Sequence, residues 1–416
     1  MSLISREVPH NYLNYISMKK LSKLVLMNLK DKELLSLMSL WTIITQKVYI
    51  MKYTFTFILF VFVFVQCHTV SKNEPEKTKV EIIAKPDTLP PLEAGEVSYK
   101  GDEPFGEIIE LKGRHITGDT AIFKARSYMV RDSILVMHQG FYEPLKAFKF
   151  PELIYMQDLG NIGNGPGELL RPILVRTADT SALCYIMDEC NYNSFFKLTK
   201  DFQLKQIKSP LKGERYMLSN VYYMGNGECL YLEKSPSGHR IKRSILKNDS
   251  VITREVQKLN LRNDQKFWGA YLGSLGIDIA KNRMVYAYDY YRIIKFMDLE
   301  GKQVRTIKFI DEIGYDDNTE HMTNGLDHNV QHYDAVYAGG KYIYIRYIGM
   351  TPIDKFYEGQ KGIYVTYIEK YDWNGNPICK YKLDQSGHLY FDDINHKLYL
   401  ASRYYDEPFF VYDLPE

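Results

Sequence analysis

The sequence is poor in cysteine and tryptophan, has no surplus of positive charge in its body, and contains no apolar run of membrane-spanning length. Only five cysteines occur in 416 residues (Cys67, Cys184, Cys190, Cys229 and Cys379), and none forms a C-x-x-C pair. That spacing excludes the usual zinc-ribbon and thioredoxin-like arrangements. Cys184 and Cys190 are near enough in sequence to bridge; small buried thiols are the equal alternative. Of the 53 Lys/Arg and 51 Asp/Glu, the first 66 residues carry 8 and 3, which leaves 45 basic and 48 acidic residues downstream. A body near −3 without a basic stripe argues against nucleic acid as a partner. No G-x-S-x-G elbow and no Gly-Lys-Ser/Thr phosphate loop is present, so two common hydrolase signatures are missing.

What the chain does have is tyrosine: 35 residues, against 20 Phe and 3 Trp. Tyrosine suits a pleated, half-buried surface and leans the composition towards strands. Residues 53–65 (YTFTFILFVFVFV) are uncharged and follow Met51-Lys52. The run is too short for a spanning helix, which needs about 20 apolar residues. It reads as the apolar region of an export signal over 51–66. The signal ends at Gln66-Cys67 and resembles the looser lipoprotein signals of Bacteroidetes, which implies lipidation of Cys67. Because export signals stand at the start of a chain, residues 1–50 read as upstream leader and Met51 as the true start. An amphipathic helix within 18–48 is the alternative. Residues 67–104 are rich in Lys, Glu, Pro, Ser and Thr and read as the lipid attachment point followed by a flexible tether.

From residue 105 to 416 the chain alternates short apolar runs with Gly, Asn and Asp, which is strand chemistry. One phrase, a run into a turn and a run out, recurs six times. Taking Phe148, Phe196, Ile245, Phe296, Tyr371 and Tyr412 as equivalent gives spacings of 48, 49, 51, 75 and 41. A period of 40–50 residues with several strands per unit is the mark of propeller blades. The expected fold is all-β: a six-bladed β-propeller. Its last copy stops short at the C-terminus, so an N-terminal strand, 105–113 (FGEIIELKG), is expected to complete the C-terminal blade and close the ring. The long fourth spacing contains a polar insertion, 311–333.

After the first outer run stands Gly163-Asn164-Gly165-Pro166-Gly167-Glu168. This segment resembles the G-x-G-P-G-E turn of six-bladed propeller lipoproteins of Bacteroidetes, a TolB-like or NHL-like group. The resemblance spans roughly 100–416 and implies a propeller in the cell envelope, without an agreed activity. Arg often precedes the glycines in that group; Asn161-Ile162 stand there in this chain. Read from the residues, the segment is an inter-blade turn in which glycine supplies positive φ and Glu168 caps the next blade.

Chemistry-bearing residues are scattered. His138 and the trio His332-Tyr333-Asp334 are candidates for an axial ligand site. Alternation over Lys341–Tyr347 (KYIYIRY) puts Tyr342, Tyr344 and Arg346 on one strand face, where they could line a groove or stack on sugar rings. Asp-rich loops at 188–193, 311–318 and 372–376 lack the full calcium-loop pattern and read first as turns, so no cofactor is expected and calcium is the one cation considered. These features point to an exported lipoprotein of the outer membrane or cell surface, or else of the periplasm, touching the membrane only through its lipid. Its propeller would bind an envelope protein, a glycan or a peptide, with the 311–333 insertion as specificity element. The competing reading is a secreted polysaccharide or peptide lyase or hydrolase acting at the central mouth.

Overall fold

The structure, a computed structural model, describes residues 89–415 apart from 121, 123–124, 141–142, 164, 166, 213–217, 236, 263–266, 311, 313, 317–327, 363–364 and 403–406. The leader 1–50, the signal 51–66, Cys67, the first part of the tether, Asn164 and Pro166 lie outside the described residues.

Six antiparallel blades follow one another. Blade 1 comprises Ser127–Arg131, Ile134–His138, Leu145–Lys149 and Ile154–Leu159. Blade 2 comprises Pro172–Thr177, Ala182–Asp188, Asn191–Thr199 and Leu204–Ile207. Blade 3 comprises Leu218–Gly225, Glu228–Ser235, Gly238–Lys247 and Ser250–Lys258. Blade 4 comprises Gly273–Asp278, Arg283–Tyr288, Ile293–Met297 and Val304–Phe309. Blade 5 comprises Gln331–Tyr337, Ile343–Met350, Thr366–Tyr371 and Pro377–Leu383. Blade 6 takes Gly387–Asp392, Lys397–Ser402 and Phe409–Asp413 from the C-terminus. The first strand of each blade touches the first strands of both neighbours, including blade 6 against blade 1. Six first strands therefore ring one axis. The six positions aligned from sequence all fall on third strands, so the recurring phrase is the outer hairpin of each blade.

Second strands lie between the packed faces of adjacent blades. Ala182–Asp188 and Arg283–Tyr288 are buried at every position, as strands covered on both faces must be. Many tyrosines serve this packing. Tyr185 and Tyr223 stack across blades 2 and 3 with ring centroids 4.1 Å apart, and Tyr344 lies parallel to Phe391 at 3.8 Å. Two of the buried hydroxyls find backbone acceptors: Tyr286 donates to the Tyr271 carbonyl at 2.7 Å and Tyr288 to that of Leu259 at 2.6 Å. An aromatic with a polar tip can thus be buried without an unmet hydrogen bond.

The N-terminal stretch corrects one expectation. Segment 105–113 does not complete the last blade. Within it, Ile109–Leu111 pairs in parallel with the outer strand of blade 5. The closing strand is the next one, Arg114–His115, antiparallel to Phe409–Asp413 of blade 6. Part of the expected tether is also folded, because Gly95–Tyr99 runs parallel to the outer strand of blade 4. Residues 95–115 are therefore a strap over the outer edges of blades 4, 5 and 6. The alternation in FGEIIELKG was a real strand signal, but periodicity carries no information about the partner.

Buried charges fix the strap. Arg292, with 1% of its side chain exposed, reaches Asp102 at 2.6 Å, Glu312 at 2.6 Å and Glu369 at 2.7 Å. Its guanidinium also lies over the rings of Phe309 and Tyr347, at 3.9 and 4.5 Å. Lys380 joins Asp102 at 2.8 Å and Glu369 at 3.6 Å. Glu369 is fully buried and accepts from the hydroxyls of Tyr333 and Tyr371. Phe105 packs into the same core beside Phe309 and Tyr371.

Two insertions lengthen blade 5. One leads into its first strand; residues 331–333, read from sequence as part of that loop, belong to the strand itself. The other is the helix Pro352–Gln360, which sequence reading missed. Thr351 caps it by accepting the Asp354 N–H at 3.1 Å.

Candidate functional site: the axial cavity

A cavity of about 340 Å³ lies on the ring axis. Its lining comes mainly from the later residues of the first strands and the turns that follow them: Arg131, Arg176-Thr177, Ile277, Tyr337–Gly340 and Asp393. Tyr128, Tyr222, Tyr337 and Tyr390 line it from blades 1, 3, 5 and 6, and Tyr342 and Tyr344 add two more tyrosines from blade 5. Burial pushes the Tyr222 and Tyr390 phenols up to about 12 and raises those of Tyr128 and Tyr337. All four therefore stay protonated and neutral at physiological pH.

Two arginines enter this aromatic belt. Arg131 Nη1 donates to the Thr177 carbonyl at 3.3 Å, and Arg176 Nη1 to the Ala338 carbonyl at 2.9 Å. Arg176 thus reaches across the ring from blade 2 to blade 5. Its charge acts on the phenols of Tyr128, Tyr222, Tyr337 and Tyr390, from four different blades, which puts the guanidinium near the axis. Among the described residues the lining holds no histidine, and its one carboxylate is Asp393. That carboxylate accepts from the Tyr344 hydroxyl at 2.5 Å and from the backbone N–H groups of Lys341 and Tyr342 at 2.6 and 3.3 Å.

The residues singled out from sequence divide between this cavity and the opposite face. Tyr342 and Tyr344 line the cavity. Arg346, two residues further along the same strand, instead forms a two-pronged ion pair with Asp334 and donates to the Gly387 carbonyl. Burial raises the Asp334 carboxyl, but Arg346 and Lys355 outweigh it and hold it below the usual range. His332 is fully buried on the first strand of blade 5, 4.0 Å from Glu312 and facing the Tyr347 ring. His138 ends the second strand of blade 1, away from the cavity lining, and burial lowers its pKa. The structure does not bring the three together as one axial cluster.

On the face where the first strands begin, Asp289 follows the second strand of blade 4. Burial, with Asp334 adding to it and Lys234 opposing, pushes its carboxyl up to about 8, and its Oδ1 has no hydrogen-bond partner among the described residues. The described ends of the 311–333 insertion lie on this same face, opposite the cavity. The glycine motif forms a tight turn. Gly167 has φ +81°, Glu168 accepts the Gly165 N–H at 2.7 Å, and a Cβ on Gly163 would meet Glu168 Oε2 at 2.0 Å. Asp188 and Asp372 accept nearby backbone N–H groups in their turns. Among the described residues no three His, Cys, Asp or Glu are placed to hold a metal. Cys184 and Cys190 are not bridged, and burial pushes the Cys184 thiol up to about 12.

Sequence reasoning missed Arg131, Arg176, Tyr128, Tyr222 and Tyr390. The signal was available, as an aromatic or arginine set near the end of the first strand in repeat after repeat. It becomes visible only once the first strands are aligned rather than the third.

The TolB-like 6-blade propeller-like family model matches residues 105–390. Comparison with curated proteins gives no match. Among solved structures, a member of the duf4221 family from Bacteroides vulgatus superposes with a TM-score of 0.50 at 11% identity, over 73% of this chain and 95% of that one. A protein of Bacteroides fragilis described as exported gives a TM-score of 0.47 at 12% identity, over 74% and 88%. Among the described residues no helix is long and apolar enough to cross a membrane.

Proposed function

This chain belongs to the TolB-like six-bladed propeller family, and on that footing we propose that it is an exported, lipid-anchored binding protein whose ligand enters the axial cavity. The observation that carries the reading is the belt of neutral phenols from four blades around one cavity. A rigid concave site with aromatic walls and a few polar groups is the usual form of a small-ligand site. Export and the anchor at Cys67 rest on the signal at 51–66 and on the likeness of its end to lipoprotein signals. A glycan or a peptide fits the lining, since ring faces and apolar side chains pack against tyrosine while phenol and guanidinium groups donate hydrogen bonds. Binding is favoured over acid–base catalysis because the single lining carboxylate, Asp393, already accepts three hydrogen bonds from blade 5, two from the Lys341 and Tyr342 N–H groups and one from the Tyr344 hydroxyl.

The test is a thermal-shift screen of the full chain in detergent against oligosaccharides and short peptides. A ligand at 100 times its dissociation constant adds about 2.7 kcal/mol. Met129→Trp, which places an indole in the cavity lining, should abolish any shift while preserving the circular-dichroism spectrum. A shift that persists in a folded M129W protein would put the ligand elsewhere and defeat the reading. Cys67→Ala should release the protein from the membrane pellet; unchanged pelleting would defeat the anchor.

A further inference from the structure

We propose that the axial cavity is an anion receptor, in which Arg131 and Arg176 together hold a carboxylate carried on a sugar ring. The inference rests on the reading of the cavity as a binding site and names the class of ligand.

The argument starts from unmet capacity. A guanidinium has five N–H donors in a planar fork. Among the described residues, Arg131 and Arg176 each make one hydrogen bond, to a carbonyl, and neither pairs with a carboxylate. Other arginines of the same ring do pair: Arg346 with Asp334, Arg292 with three carboxylates, and Arg243 with Glu228 and Glu300. The two unpaired cations are also neighbours. Arg131 donates to the carbonyl of Thr177, the residue next to Arg176. Both line the same cavity, Arg131 half-buried and Arg176 exposed, so their like charges repel, and an oxyanion between them would reverse the sign of that interaction.

The surroundings do not supply the missing charge. Asp393, from blade 6, is taken up by the blade 5 turn, accepting from the Lys341 and Tyr342 N–H groups and from the Tyr344 hydroxyl. Asp278, whose charge is felt at Tyr222, is paired with Lys281 at 3.1 Å. The Tyr128 and Tyr344 hydroxyls are already donated, to the His388 carbonyl and to Asp393, while the neutral phenols of Tyr222, Tyr337 and Tyr390 do not oppose an oxyanion. Arginine forks match a carboxylate in two-pronged geometry. The tyrosine faces then select what bears the carboxylate: a ring with C–H groups on its flat face, as a sugar presents, packs on them. The shared chemistry is a carboxylate on a small body, and its source is either an acidic sugar or the C-terminus of a peptide.

The experiment is isothermal titration of the full chain in detergent with three probes: glucuronate, glucose, and N-acetyl-alanyl-alanine. Glucuronate should bind and glucose should bind at least about tenfold more weakly, because charge-assisted hydrogen bonds contribute about 1.5–3 kcal/mol. Arg176→Gln and Arg131→Gln should each weaken glucuronate by about tenfold to a hundredfold, and Arg176→Lys should recover part of the loss. Rising salt should weaken glucuronate and leave glucose unchanged. Tighter binding of the acetylated dipeptide than of glucuronate would overturn the sugar and keep the anion. Equal binding of glucose and glucuronate, insensitive to R176Q but lost in M129W, would overturn the anion receptor and leave the cavity as a neutral site. Binding insensitive to M129W would defeat the cavity reading itself. No binding of any probe at about 10 mM, roughly −3 kcal/mol at best, would overturn the proposal.

Discussion

Replacing Arg292 by Met should cost more stability than any surface change, and the structure sets the size of the loss. The guanidinium is 1% exposed and touches Asp102, Glu312 and Glu369 at 2.6–2.7 Å. Methionine fills much of the same volume between Phe309 and Tyr347 but removes the charge. Glu369, fully buried, would keep only two tyrosine hydroxyls and Lys380 at 3.6 Å. Leaving one member of a buried ion set unpaired costs about 3–5 kcal/mol. The double variant R292M/E369Q removes the stranded charge as well. It should recover at least about 1 kcal/mol relative to R292M, a positive coupling between touching residues. Urea unfolding of the wild type, both single variants and the double variant measures each term from the midpoints, provided the slopes agree. Limited proteolysis provides the structural readout, since Asp102 lies on the strap and R292M should expose residues 95–115 to cleavage. A loss under about 1 kcal/mol for R292M, or a double variant no better than the single, would refute the claim that this network holds the strap.

Asp102→Asn should cost less, about 1 kcal/mol, because the Asp102 side chain is 38% exposed and water screens it. Burial raises the Asp102 carboxyl, and Lys380 and Arg292 more than reverse this, so its folded pKa is depressed. Its contribution is complete above the unfolded value of about 3.9 and fades as pH falls towards the folded one; urea midpoints of D102N and wild type should converge in acid, and a constant gap would contradict this. Asp289 has the opposite sign. With its folded pKa raised to about 8, it holds a proton that the unfolded chain has released, so stability falls between about pH 4 and 8. Asp289→Asn should abolish that slope and exceed the wild type by more than about 1 kcal/mol at pH 8; a D289N protein no more stable than the wild type would show the site to be better solvated than its geometry implies. Among the described thiols, Cys184 and Cys229 are fully buried while Cys190 and Cys379 are partly exposed. A thiol reagent should therefore modify Cys190 and Cys379 first under native conditions, and early labelling of Cys184 would contradict its place in the core.

Repeat structure was legible because each outer hairpin combines buried aromatic residues with a turn that tolerates few residue types. Phe148, Phe196, Phe296, Tyr371 and Tyr412 are all buried on third strands; Ile245, the weakest of the six aligned positions, is 37% exposed. The strap was legible only as a strand over 105–113, not as a strap. Its strands are two to five residues long, and its partners lie roughly 200 residues or more further along the chain. The cavity was half legible. Alternation over 341–347 led to Tyr342 and Tyr344 because neighbouring residues on one strand share a face. No local pattern could join Arg131 to Arg176 and Tyr222, which meet only because three blades converge on an axis. For the same reason His138 and His332, alike in sequence, end far apart in role.

The strap also orders events in time. Gly95 needs Arg305, Ile109 needs Tyr381, and His115 needs Phe410. The strands of the strap thus have no partners until roughly 200 to 300 further residues are made. Blades 1 to 3 can form from local contacts as the chain lengthens, whereas ring closure is a long-range step that must follow chain completion. On the proposed route of export, unfolded and N-terminus first, the ring cannot lock early, since the strands that close it meet only after the C-terminus has crossed.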